Sequence, residues 1–379
     1  MIRMIKPLLS LSILIASTQI ALAETEADVF ELAVEQNRVA TPLDYANARS
    51  VQPKLTTAIE LDLTRLSTPS RLGPAGFAEG GVGNGQTRPL QLIDTATSAS
   101  LAQKGAATDT RAYGTANLPF TTSRVDMGGL QLSQVDYFRR AGRLFFKVGA
   151  DTGVCSASLI KPGIVVTAAH CIAEFGTNTF FTNVQYVPAY YKGQAPFGIW
   201  TATNIYVMNS YLNGSADCAQ PGVVCTNDLA VIKLAPQRGK YPGHSTGWFG
   251  YAWNGYGVVE GKTQITQLGY PVSHDGGEMM QRTDAGGMVV AEASNNTLIG
   301  SRQTGGSSGG PWLINFGEVA KLQGTNIGIA GKMNLVVGTT SWGPTDTKQK
   351  FMGASPFTSD NIIPLMKVAC PTAATAGCK

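Results

Sequence analysis

Charge is scarce in this chain. Only 14% of its 379 residues are Asp, Glu, Lys or Arg, and the formal net charge is +4. So small an excess over this length calls for no nucleic-acid partner. Low charge combined with 44 glycines argues against a long-helix or coiled-coil protein. Hydrophobic residues still make up 43%, enough for a core, which excludes a wholly disordered chain. Beyond the N-terminus no apolar run reaches the roughly 18 residues of a membrane span. No CxxC pair occurs, so a common zinc-ligand spacing is missing. Histidine is also rare: His170, His244 and His274 are the whole set. The length allows two domains of roughly 150 residues, or one large all-β domain with additions.

The first residues read as an address. Met1–Pro7 carries Arg3 and Lys6, Leu8–Ala23 is apolar, and the run ends in Ala21-Leu22-Ala23. A basic start, an apolar run and a small-x-small end make 1–23 a secretory signal peptide, cut before Glu24. The alternative is a membrane anchor. Ser10, Ser12, Ser17, Thr18 and Gln19 inside the run oppose it, so no stable anchor is expected. The six cysteines are Cys155, Cys171, Cys218, Cys225, Cys370 and Cys378. An even number in an exported chain reads as disulfides and a secreted or periplasmic location. Six cysteines allow fifteen pairings. The spacing suggests three local ones, 155–171, 218–225 and 370–378.

Residues 24–134 contain no cysteine and hold 12 acidic and 9 basic residues, against a net positive remainder. Ala27–Ala40 is readable as a helix, with Val29, Leu32 and Ala33 at i, i+3 and i+4. The Gly-rich stretch 73–85 and the Ser/Thr/Ala-rich one after it suit a flexible or processed segment. A propeptide that blocks the cleft or assists folding and a disordered or adhesive extension both remain open for 24–134. From Val135 short β-rich segments alternate with Gly, Pro and Asn. Such texture indicates a sandwich or barrel. Asp360–Ala369 is expected to be a C-terminal helix with Ser359 as N-cap, provided Pro364 falls in the first turn.

Three motifs follow in the order His, Asp, Ser. They are Thr167-Ala-Ala-His170-Cys171 after an apolar strand, Asn227-Asp228-Leu229 before another, and Gly305-Gly306-Ser307-Ser308-Gly309-Gly310. A serine hydroxyl needs a base within hydrogen-bond reach to act as nucleophile. Imidazole suits that task near neutral pH, and a buried carboxylate fixes its tautomer. The chain order excludes the Ser, acid, His arrangement of α/β-hydrolases. His244 and His274 lack the motif and read as surface loop residues.

Together the motifs resemble those of chymotrypsin-like (trypsin-fold) serine peptidases over residues 135–379. The strand Cys155–Ile160 and the run Ser341-Trp342-Gly343 extend the likeness. The resemblance implies an all-β fold of two six-stranded Greek-key β-barrels with a C-terminal helix, behind a mostly irregular N-terminal segment. It implies a serine endopeptidase made as a precursor, acting on peptide or protein substrates without cofactor or metal. Ser308 is then nucleophile, His170 the base and Asp228 its orienter. The N–H groups of Gly306 and Ser308 form the oxyanion hole, and Cys155 pairs with Cys171.

Members of the trypsin type have an Asp just before the nucleophile, paired with an N-terminal amine released by cleavage. Ser307 stands there instead, although Arg124–Gly129 faintly resembles an activation site. Thr304-Gly305-Gly306, Tyr137–Phe146 and Gly269-Tyr270-Pro271 look more like secreted bacterial glutamyl endopeptidase-like (V8-like) members. By resemblance the substrate-binding residues are Arg302, Gln303, Thr340, Ser341, Trp342 and Gly343, with Gly343 and Gly353 leaving the S1 pocket open. A buried Arg302 favours an acidic P1 side chain; an Arg302 turned to solvent or tied to a carboxylate does not. Glutamyl members carry a histidine where this chain has Thr340. A catalytically silent, protease-like binding protein is the rival reading, but such proteins lose a triad member or an oxyanion glycine and this chain has lost neither.

Overall fold

Strands in this chain form where β-branched and aromatic residues gather. Ala141–Val148 and Asp151–Lys161 are the first clear case, an antiparallel hairpin turned at Gly149 (φ 58°). The computed structural model describes residues 28–34, 48–50, 73–89, 91, 118–216, 218–220, 223–225, 227–289, 297–319, 331–344 and 349–379. The signal-peptide reading of 1–23 lies outside them.

The hairpin opens a closed ring of six strands. Ile164–Thr167 pairs with Asp151–Lys161, Ala230–Leu234 with Ile164–Thr167, and Trp200–Met208 with Ala230–Leu234. Thr182–Pro188 closes the ring between Trp200–Met208 and Ala141–Val148. Its interior is apolar, with Leu144, Phe146, Leu159, Val165, Val184, Ile205 and Ile232 all buried. The second ring runs Lys262–Gly269, Gln281–Val289, Thr297–Gly300, Phe351–Pro356, Leu335–Trp342 and Pro311–Ile314, back to Lys262–Gly269. All of these pairings are antiparallel. The fold is therefore two closed six-stranded β-barrels, as the motif resemblance implied.

The second barrel holds polar groups inside. Thr340 Oγ1 accepts from Trp312 Nε1 (2.8 Å) and Gln267 Nε2 (3.0 Å), and Ser301 Oγ donates to Gln267 Oε1 (2.8 Å). A third apolar cluster lies between the barrels, with Phe249, Leu268 and Val336 packed toward Ile362, Leu365 and Met366. Those last three belong to the C-terminal helix Ile362–Ala369. Its cap is Asn361, whose side chain accepts from the Ile362 N–H. Ser359 was expected in that role, but its N–H bonds Asn254 Oδ1 (2.8 Å) and the chain turns into the helix two residues later. Pro364 is the third helical residue, where its missing N–H costs nothing.

Two expectations for the region before 135 are corrected. Val29–Ala33 is a strand and not part of a helix. It pairs with Met208–Asn204, and Glu31 Oε1 accepts from Asn204 Nδ2 (2.9 Å) and Tyr206 Oη (3.1 Å). The open edge of Trp200–Met208 offers ladder partners that an isolated short helix lacks. The rest of that expected helix, from residue 35, lies outside the described residues.

The glycine-rich stretch is not a loose linker either. Gly76–Ala78 pairs with Gly250–Trp253, and residues 80–85 lie along 244–250. Arg88 then stacks on Trp200 of the first barrel at 4.3 Å and hydrogen-bonds Gln237. Further on, Phe120–Arg124 pairs with Ala285–Gln281, and Leu118, Val125 and Asp126 are buried. Packing against the second barrel thus begins by Leu118. All three local disulfides, 155–171, 218–225 and 370–378, are formed. No helix among the described residues is long and apolar enough to cross a membrane.

Candidate active site

Strand register brings the first two motifs together. Ala230 pairs with Thr167, so the residues just before one strand face those just after the other. Asp228 Oδ2 lies 2.8 Å from His170 Nδ1, and Asp228 Oδ1 accepts the His170 backbone N–H at 2.9 Å. Asp228 is fully buried and His170 is 5% exposed. One carboxylate thereby grips both the ring and the backbone of the histidine. Its charge also adds to burial in pushing the neighbouring Tyr211 hydroxyl well above its ordinary range. Ser341 Oγ donates to the same Asp228 oxygen at 2.5 Å. The side chain of Ser341, a residue expected among those that bind substrate, supports the carboxylate. His170 Nε2 is buried and has no hydrogen-bond partner among the described residues. With Nδ1 protonated toward Asp228, that nitrogen carries a lone pair available as a base.

Ser308 sits on the glycine-rich turn from the other barrel. Its carbonyl accepts from Ser156 N–H at 2.7 Å. A Cβ on the next residue, Gly309 (φ 76°), would lie 1.9 Å from Thr167 Oγ1 and 2.8 Å from Ala168 N. The turn therefore rests directly on the segment that leads to His170. Ser307 is turned away, fully buried, with its hydroxyl donating to Thr304 O at 2.6 Å.

The expected specificity residues separate. Gln303 and Thr340 are both directed into the barrel. Gln303 Nε2 donates to Thr283 Oγ1 (3.2 Å), and the Thr340 hydroxyl is spent on Trp312 and Gln267. Trp342 is buried at the end of its strand, and its indole fills the space beside Gly353, where a Cβ would lie 2.2 Å from it. Met352 Cε would lie 3.3 Å from a Cβ on Gly343, so protein side chains lie beside both glycines.

Arg302 is half-buried, and its carbonyl accepts from Ser273 Oγ (3.3 Å). Beside it, His274 is also half-buried and not a simple surface residue. Burial first, then the charges of Arg302, Arg124 and Lys350, hold His274 below its ordinary pKa, while Asp275 acts the other way. His244 is exposed, as expected. The sulfurs flanking His170 are tied in the Cys155–Cys171 disulfide, so they offer a metal no thiolate.

Comparison with known proteins shows the family. The family model described as Trypsin matches residues 137–359, more than half of the chain. The chain belongs to the trypsin family. A curated relative, the glutamyl endopeptidase of Bacillus licheniformis, is 23% identical over 169 residues. That match covers 45% of this chain and 48% of the relative, so the chain spans about half the length of that relative. Among solved structures, the protease Anisep from Arthrobacter nicotinovorans is 24% identical, with 62% of this chain and 96% of that one covered and a TM-score of 0.49. A thermostable serine protease from an extremophilic microorganism is also 24% identical, with 59% and 93% covered and a TM-score of 0.48.

Proposed function

We propose that this protein is an exported serine endopeptidase that hydrolyses peptide or protein substrates through an acyl-enzyme. The observation that carries the reading is Asp228, fully buried and bonded twice to His170, with His170 Nε2 left without a partner beside the Ser308 turn. In the reaction the Ser308 hydroxyl adds to the scissile carbonyl carbon as its proton passes to His170 Nε2. The carbonyl oxygen becomes an oxyanion that accepts from the N–H groups of Gly306 and Ser308. His170 then gives its proton to the leaving amine, the C–N bond breaks, and Ser308 carries the acyl group. Water, deprotonated by His170, adds to the acyl carbon, and the serine leaves with the proton. Asp228 stays ionised throughout and steadies the imidazolium.

The leader 1–23 would direct the chain to an oxidising compartment and be removed there, in keeping with its three disulfides. The part of 24–134 that precedes Leu118 is proposed to be a propeptide. The burial of Leu118, Val125 and Asp126 supports a processing point before 118 over one at 134. N-terminal sequencing of the active secreted form tests this, and a mature start at Glu24 would contradict it. For specificity, the positive charges of Arg302 and Lys350 acting on His274 are what supports an acidic P1 residue, Arg124 being paired with Asp275. Cleavage-product profiling of a peptide library by mass spectrometry tests activity and P1 together. Cuts after Asp or Glu support the assignment of Arg302, cuts after aliphatic or aromatic residues remove it, and cleavage that persists in Ser308→Ala removes the serine mechanism.

A further inference from the structure

We propose that Ser156, in the first barrel, is a positioning residue that sets the oxyanion turn of the second. The proposal rests on the reading of Ser308 as nucleophile. Its basis is an account of where each backbone group of the turn goes. Every peptide here is trans and planar, so a C=O and the N–H of the same peptide point in opposite directions.

The Gly305 carbonyl accepts from Val272 N–H at 2.8 Å, which sends the Gly306 N–H the other way. The Ser307 carbonyl accepts from Gly310 N–H at 2.9 Å, which does the same for the Ser308 N–H. Among the described residues neither of these two N–H groups has an acceptor. The peptide between them must be held if both are to stay aimed at one point. Its N–H, on Ser307, donates to Thr304 O at 3.1 Å. Its carbonyl, on Gly306, accepts from the Ser156 hydroxyl at 2.8 Å. That hydroxyl in turn accepts from the Tyr270 N–H at 2.9 Å. Ser156 also holds the peptide that follows Ser308, because Ser156 N–H donates to Ser308 O. Ser156 is 1% exposed, so water does not compete for these bonds.

Trypsin-type members use an Asp and a freed N-terminal amine near this turn. Ser307 makes that pair impossible here, and its hydroxyl is spent on Thr304 O. A neutral hydroxyl reaching across from the neighbouring barrel does the holding instead. Ser156 touches neither the substrate nor the reacting atoms, so its effect is confined to how well the two N–H groups meet the oxyanion.

The test uses Ser156→Ala in the full secreted protein. Loss of an oxyanion donor costs roughly 100- to 1000-fold in rate. Loss of a group that only aims donors is expected to cost about 10- to 100-fold in kcat, in line with misplacements of about 1 Å. KM should stay within about threefold, and the His170 limb of the pH–rate profile should not move. A peptide boronate, which mimics the tetrahedral state, should lose affinity in parallel with kcat/KM, while a product-like peptide keeps its own. Ser156→Thr, which keeps the hydroxyl, should restore most of the rate. A Ser156→Ala enzyme with kcat within twofold of wild type overturns the proposal. So does equal weakening of boronate and product peptide. If Ser156→Ala does not accumulate, Ser156→Cys, with a weaker donor, carries the same boronate-to-product ratio; an unchanged ratio overturns the proposal. Wild-type protein that fails to turn over substrate fails the endopeptidase reading itself, before any Ser156 variant is compared.

Discussion

Two glycine-rich stretches, 73–85 and 305–310, look alike in composition and serve different ends. Both are places where another backbone comes too close for a side chain. A Cβ on Gly80 would lie 2.5 Å from Gly250 N, on Gly81 2.1 Å from the Trp248 ring, and on Gly83 2.3 Å from Gly247 N. In the Ser308 turn a Cβ on Gly306 would lie 2.5 Å from Tyr270 O, and one on Gly310 2.2 Å from Leu268 O. The difference lies in what the N–H groups do. In the first stretch they are spent: Gly81 N–H bonds Trp248 O, Asn84 N–H bonds His244 O and Gly85 N–H bonds Ser245 O. In the second, the Gly306 and Ser308 donors are left over. Close approach of backbones makes a clamp when the donors pair, and an anion site when two are withheld.

Substitutions sharpen that contrast, taken from the largest effect down. Gly306→Ala should cut kcat by at least about 100-fold, since it disturbs an oxyanion donor. The φ of 93° and the Tyr270 carbonyl leave no room for the methyl; steady-state kinetics on a peptide substrate checks it. In the unprocessed precursor, Gly83→Val should cost about 1–3 kcal/mol of stability, as overpacked sites do, and kcat after processing should stay within about twofold. Calorimetry or chemical denaturation reads this, and a large kcat loss would erase the distinction between the stretches. Gly85→Ala, with φ 75° but only the mobile end of Arg139 nearby at 3.2 Å, should cost about 1 kcal/mol. Arg88→Ala, which removes the stack on Trp200, should cost the precursor about 0.5–1 kcal/mol, with no change in the kinetics of the processed enzyme.

Some of this is legible in the amino-acid order because the signal is local. His170 follows directly on a β-branched strand, Asp228 directly precedes another, and those strands are ring neighbours. Short-loop cysteine pairs and the first-turn position of Pro364 are local in the same sense. What escapes is set by long-range packing. Val29–Ala33 carries a helical spacing, yet the open edge of Trp200–Met208, over 170 residues away, makes it a strand. Gln303 and Thr340 face the barrel interior because Thr283, Gln267 and Trp312 wait there with matching hydrogen-bond groups. Glycine content alone does not say whether a run is loose or tightly laid, since that depends on Trp248 and its neighbours. Ser156 carries no signal of its own beyond its place beside Cys155. Its role depends on a turn 150 residues further along.

The central claim is that Ser308 is a nucleophile activated by His170. Labelling of the wild-type protein with a fluorophosphonate, followed by peptide mapping, tests it most directly. The account predicts one adduct, on Ser308, lost in Ser308→Ala and suppressed in His170→Ala. The neighbouring Ser307 should stay unlabelled because its hydroxyl is buried on Thr304 O. An adduct on Ser307, or no adduct on folded wild-type protein, would contradict the claim.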